Sequence, residues 1–151
     1  MAGGFGFIPR LCAGGGAFSK EEKGTFSKLG LINKVLSYPA DNETLSRLYS
    51  NALIFVFPSL YEGFGIPALE AMNCDCPMVL SNRGSLPEVA YDAAIYFNPV
   101  DIIDIANRME EIIYDDTLRQ TLIDNGRRRR RNFSWAKTRD ETRTLYNQIG
   151  D

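Results

Sequence analysis

The chain has 151 residues, 44% of them hydrophobic and 24% charged, with a formal net charge of −2. That length suits one domain of the common size, roughly 100–150 residues, with a sizeable core, and the weak negative balance argues against a nucleic-acid partner, which a basic surface would attract. The chain contains no histidine, which rules out a histidine-based triad and any histidine-containing metal site within it.

The first residues, "MAGGFGFIPR", are too short and too glycine-rich for a secretory leader. Nowhere does the chain reach the roughly 20 apolar residues of a membrane span. "RLCAG" reads as a strand ending in Gly14 to Gly16, a triple glycine that either faces a ligand or simply turns the chain. Ser19 with Glu22 makes a capping box and opens a helix to about Leu29. "KVLSY" is a second strand. Asp41 and Asn42 offer N-caps for a helix through Asn51, with Leu45, Leu48 and Tyr49 on one face. "LIFVFP", apolar on both faces, predicts a central parallel strand. A helix from about Ile66 to Asn73 follows, with Pro67 suited to its first turn. "PMVLS" is the next strand, "SLPEVA" a short helical turn and "AAIYF" the last strand. Helices close the chain over about Val100–Tyr114, Asp116–Arg131 and Ser134–Gln148. Strands alternating with amphipathic helices predict an α/β fold built on a parallel sheet.

Cys74 and Cys76, one residue apart with no second pair, read as packing residues, and an odd total of three cysteines fits a reducing cytoplasm. The basic run Arg127–Arg131 reads as the solvated end of a helix, where cations are favoured. Its alternative is a weak contact with an anionic membrane. Phe133 and Trp135 read as anchors of the last helix.

The chemistry concentrates in "YEGFGIPALEAM", residues 61–72, at the exit of "LIFVFP". In open parallel sheets ligands bind beyond the carboxyl ends of the strands. Gly63 and Gly65 can adopt conformations closed to other residues and let the backbone approach a ligand. The helix starting near Ile66 turns its free N–H groups and positive dipole end to that place, which favours phosphate. Glu70, expected in the first turn, can accept hydrogen bonds from a pair of sugar hydroxyls, and Glu62 can reach the other end of an elongated ligand. These parts suit a nucleotide sugar. The competing reading makes Glu70 a dipole-complementing surface residue, Glu62 a solvated loop charge and the glycines plain turn formers.

The stretch "FVFPSLYEGFGIPALEAM…CPMVLSNRGSLPEVAYDAAIYFNP", with "LCAGGG", "RLYSNA" and "NFSW", resembles the C-terminal, donor-binding domain of the retaining GT-B glycosyltransferases of group 1 (family 4). The likeness runs from about Leu11 to Tyr146, and Glu62 and Glu70 match the family's Glu-x7-Glu motif. It implies a Rossmann-like parallel sheet flanked by helices, the C-terminal half of a GT-B fold, over residues 1–151. It further implies that Glu62 contacts the transferred hexose and is the catalytic residue. Gly63, Phe64, Gly65, Ile66 and Leu69 would line the donor, Glu70 would bind the ribose, and Tyr38 and Pro39 would border the base. The implied reaction moves a hexose from an NDP-sugar to a saccharide or lipid acceptor with retention, as in polysaccharide biosynthesis, and without a required metal or cofactor. The implied place is the cytoplasm or the inner membrane face.

The sequence also departs from the family. No arginine–lysine pair stands ready to clamp the diphosphate, and the family's first strand and N-terminal acceptor domain have no counterpart here. The expectation is therefore an incomplete enzyme, inactive alone, whose acceptor site comes from the missing domain or a separate chain. In the family the absent strand lies between those of "RLCAG" and "LIFVFP", which leaves a gap that Ala2–Ile8 cannot fill, or one that a second copy pairs in a homodimer. Two other readings stay open. One is a non-catalytic nucleotide-sugar module; the other is an unrelated Rossmann-like binder, though "AGGGAF" lacks the third glycine of a dinucleotide fingerprint.

Overall fold

A computed structural model of the chain describes residues 10–13 and 16–149. The chain divides into two compact units, Met1–Leu45 and Ser46–Asp151, and each is taken by itself. In the first, β1 (Arg10–Ala13) and β2 (Val35–Tyr38) pair in parallel, with Leu11 opposite Leu36 and Ala13 opposite Tyr38. Parallel neighbours need a long crossover, and α1 (Lys20–Lys28) supplies it. The capping box is present: Ser19 Oγ accepts from the Glu22 amide at 3.2 Å, and Glu22 Oε2 accepts from the Ser19 amide at 2.7 Å. Ser37 Oγ donates to the Gly16 carbonyl, so the end of the glycine tract is tied to β2. Gly14 and Gly15 lie outside the described residues, as do residues 2–8. α2 (Asn42–Asn51) opens at Asp41, whose Oδ1 accepts from the Thr44 amide at 2.8 Å.

The second unit holds β3 (Phe55–Phe57), α3 (Ile66–Asn73), β4 (Met78–Ser81), α4 (Leu86–Ala90) and β5 (Ala94–Phe97). α5 (Ile102–Tyr114), α6 (Asp116–Arg129) and α7 (Trp135–Ile149) follow. The strands run parallel in the order β3-β4-β5, with Val56 opposite Val79 and Val79 opposite Ile95. Every residue of β4 is buried. "PMVLS", not "LIFVFP", is thus the middle strand of this sheet, and β3 is half-buried at its edge. The apolar run of β3 has another cause than central position. Phe55 and Phe57 share a face and stack at 5.7 Å, and Tyr49 meets Phe55 edge-on at 5.0 Å.

Val79 and Phe97 form the core with Ile112 of α5 and Leu122 of α6, and Val56, Ile95, Ile105, Met109 and Leu118 pack around them. Each such side chain, fully buried, stabilises by about 1.5–3 kcal/mol. Strand alternation sends Met78 and Leu80 to the opposite face, where they are equally buried.

The arginine run is mostly not a solvated helix end. Arg129 donates to the carbonyls of Val89 (2.9 Å) and Glu88 (2.6 Å), at the end of α4. Arg130 donates to those of Met72 and Asn73, both at 3.1 Å, at the end of α3. Arg127 forks onto Asp75 at 2.8 and 3.0 Å. The last carbonyls of a helix lack partners and carry its negative dipole end, so these guanidinium groups pin α6 to two helix termini. Trp135 does not anchor α7: it is 83% exposed, and α7 has no buried residue. Among the described residues no helix is long and apolar enough to cross a membrane.

Candidate functional site

Glu62, Gly63, Phe64, Gly65, Ile66, Leu69 and Glu70 all lie in the second unit, on the turn after β3 and on α3. Gly65 is the N-cap of α3 and sits in the left-handed region, φ 92° and ψ 47°. The conformation requires glycine, and a Cβ there would come within 2.7 Å of Leu86 Cδ2, so the buried Leu86 side chain would have to shift as well. Gly63 differs: it has open space around it and no positive φ.

The donors at the head of α3 are few and well placed. Pro67 has no N–H, and the Ala68 amide is taken by the Gly65 carbonyl at 3.0 Å. Among the described residues the amides of Phe64, Gly65 and Ile66 carry no backbone hydrogen bond. With no side chain capping this end either, those three N–H groups are unpaired at the positive end of the dipole. Gly65 itself is buried while Phe64 and Ile66 are exposed, so the Phe64 and Ile66 amides are the ones best placed to meet an anion.

The two carboxylates are held differently. Glu62 is half-buried, and its carbonyl accepts from Ser85 Oγ at 3.1 Å. Gly84, at φ 60°, packs on the same backbone. The loop between β4 and α4 therefore seats Glu62, and sequence reasoning missed it. The available signal was positional, since "NRGS" follows β4 as "EGFG" follows β3.

Glu70 is the fifth residue of α3, in its second turn and not its first, because the helix starts only at Ile66. Helical side chains lean toward the N-terminus, so its carboxylate still reaches back over the first turn. Its Oε2 accepts from the buried Tyr49 hydroxyl at 3.5 Å. Burial, and next the charge of Glu70, push the Tyr49 phenol up from its ordinary pKa, so it stays a donor. Leu69 is half-buried beside Glu70, while Phe64 and Ile66 are about half exposed on the rim. Phe64 also meets Phe133 edge-on, with centroids 6.0 Å apart.

Tyr38 and Pro39 belong to the first unit, at the end of β2. With Ala40, Asp41 and Thr44 they line an open depression of about 630 Å³. The cysteines stay with packing: Cys76 is buried, and that burial, with the neighbouring Cys74, pushes its thiol up to about 12.

Comparison with known proteins bears on what this arrangement does. Residues 9–129 match the family model for Glycosyl transferases group 1. The O-antigen chain mannosyltransferase B of Escherichia coli is 41% identical over 113 residues, covering 75% of this chain and 29% of that protein. Among solved structures, the sucrose-phosphate synthase of Thermosynechococcus elongatus superposes with a TM-score of 0.82 at 31% identity, over 92% of this chain and 38% of that one. Anabaena HepE, solved in complex with UDP-glucose, superposes with a TM-score of 0.80 at 20% identity, over 92% of this chain and 41% of that one, a likeness of fold.

Proposed function

Since the chain belongs to the group 1 glycosyl transferases, we propose that it is the nucleotide-sugar-binding part of a retaining enzyme that moves a hexose from an NDP-sugar to a saccharide or lipid acceptor. The observation that carries this is the pairing of the unpaired Phe64, Gly65 and Ile66 amides with a carboxylate on either side of them, Glu62 before the turn and Glu70 in α3. A nucleotide sugar has a diphosphate between two polyols, and this order of groups matches it. The amides and the dipole of α3 meet the diphosphate, Glu70 takes the ribose hydroxyls and Glu62 the hexose. As the bond to the anomeric carbon breaks, negative charge grows on the diphosphate, and fixed N–H donors stabilise it without having to reorganise. No metal is given a part in this reading.

The likeness to a mannosyltransferase makes mannose the first hexose to test, and leaves the base open. The chain spans 29% of that relative's length, and we place acceptor binding in the rest of such a protein or in a separate chain. The test is calorimetric titration of the chain with UDP, GDP and dTDP and with their hexose conjugates, with and without a chelator. One base should bind, its hexose conjugate should bind tighter, and the chelator should change neither affinity. Failure of every nucleotide to bind would overturn the reading.

A further inference from the structure

We propose that Tyr49 is a positioning residue for Glu70: its hydroxyl holds Glu70 Oε2 from the core side and leaves Oε1 for the ribose of a nucleoside diphosphate. The proposal rests on the reading above that Glu70 binds ribose. Its own support is the packing around the phenol. Tyr49 is 6% exposed, and its ring meets Phe55 of β3 edge-on, with centroids 5.0 Å apart and planes at 88°. A ring held in that way cannot swing, so its hydroxyl is a fixed point. That point lies 3.5 Å from Oε2, longer than the roughly 2.5–3.0 Å usual for an O–H···O bond, so the contact is weak as it stands. Among the described residues Oε1 has no hydrogen-bond partner.

A freely rotating glutamate must be ordered each time a ligand arrives, which costs rotamer entropy. A carboxylate already bound at one oxygen presents the other in a narrower set of directions. If the core needed only an aromatic ring at this position, phenylalanine would fill it without a hydroxyl to satisfy. Tyrosine adds a donor on the one side of Glu70 that a ligand does not use.

The experiment compares GDP and UDP with their 2′,3′-dideoxy forms, by calorimetry, on the wild-type chain, Tyr49→Phe, Glu70→Gln and the double variant. Wild type should prefer the ribose form. Tyr49→Phe keeps the ring and should lose roughly fivefold in affinity for the ribose form, a weak bond to a charged group, with dideoxy binding unchanged. The double variant should bind no more weakly than Glu70→Gln alone, because the two groups then act through one contact. Equal weakening of ribose and dideoxy binding in Tyr49→Phe, or an unchanged preference, overturns the positioning role. If Glu70→Gln itself keeps the full ribose preference, the ribose reading fails first, and the proposal with it. Circular dichroism on each variant separates unfolding from these outcomes, and the double variant is read against Glu70→Gln whatever Tyr49→Phe costs in stability.

Discussion

Gly84 lies against the backbone of Glu62, so closely that a Cβ on Gly84 would stand 3.0 Å from the Glu62 carbonyl oxygen and 3.2 Å from its nitrogen. The loop after β4 therefore sets the path of the chain into the turn that carries the unpaired amides. Gly84→Ala meets two obstacles, a φ of 60° and a backbone that cannot give way as a flexible side chain would. It should cost about 1–3 kcal/mol of stability, read as a lower urea midpoint at unchanged slope. Ser85→Ala removes only the hydrogen bond to Glu62 and should cost about 0.5–1.5 kcal/mol. Wild-type stability in Gly84→Ala would mean that this loop is not seated on Glu62.

The two glutamates should separate by ligand. Glu70→Ala should weaken nucleoside diphosphate binding by about 1–3 kcal/mol, the worth of hydrogen bonds to a charged group. Glu62→Gln should leave the free diphosphate unaffected and weaken only its hexose conjugate. Titration of both variants with both ligands checks the division. If Glu62→Gln weakens the two ligands alike, Glu62 acts on the turn and not on the sugar.

What could be read in the sequence was local. Gly65 and Pro67 bound the start of α3, Ser19 with Glu22 start α1, and Asp41 caps α2; each signal lies within a turn of what it controls. What could not be read depends on partners far along the chain. Tyr49 meets Glu70 across 21 residues, Ser85 meets Glu62 across 23, and Arg130 meets Met72 across 58. A run of arginines looks the same in sequence whether it faces water or caps two helices. The misplacement of β3 has the same root. Its apolar residues are satisfied by rings stacked along one face, and composition cannot tell that from strands on both sides. The candidate residues of the Glu-Gly-Phe-Gly turn and the head of α3 could be grouped from the motif because they are contiguous, whereas the Gly84 and Ser85 contacts that seat Glu62 could not.

Asp75 gives a prediction in pH. The hydrogen bond from Arg127, and next its charge with that of Arg130, hold the Asp75 carboxyl below its usual range. In the unfolded chain an aspartate titrates near about 3.9. A pKa lowered by folding adds stability that is fully present above the unfolded value and is lost as pH falls through the folded one. Wild type should therefore exceed Asp75→Asn in stability at neutral pH, and the gap should start to close below about pH 4. Arg127 is 45% exposed and Asp75 39%, so solvent screens the pair and the gap is about 0.2–1 kcal/mol, smaller in high salt. Urea midpoints of both proteins across this range check it. A gap that stays constant into strong acid would show that the carboxylate charge plays no part.

Phe133 should brace the turn from outside. Its ring meets Phe64 edge-on at 86°, and the Arg129 guanidinium lies over it, 5.2 Å from the centroid. The same Arg129 is tied to the carbonyls of Glu88 and Val89. Phe64 sits between Gly63 and Gly65, so the ring that Phe133 touches belongs to the stretch whose amides are unpaired. Phe133 is only half-buried and lies outside the cluster of Val79, Phe97, Ile112 and Leu122, so its loss should loosen the turn and spare the core. Edge-on aromatic pairs contribute about 0.5–1.5 kcal/mol beyond the area they bury. Phe133→Ala should therefore weaken nucleoside diphosphate binding by up to roughly tenfold. The amides of β4 should keep their exchange protection, showing that the core is intact. Phe133→Leu, which restores bulk without the ring edge, should recover part of the affinity. Unchanged nucleoside diphosphate affinity in Phe133→Ala would make Phe133 a bystander, and the order of the turn would then rest on the contacts of Gly84, Ser85 and Leu86.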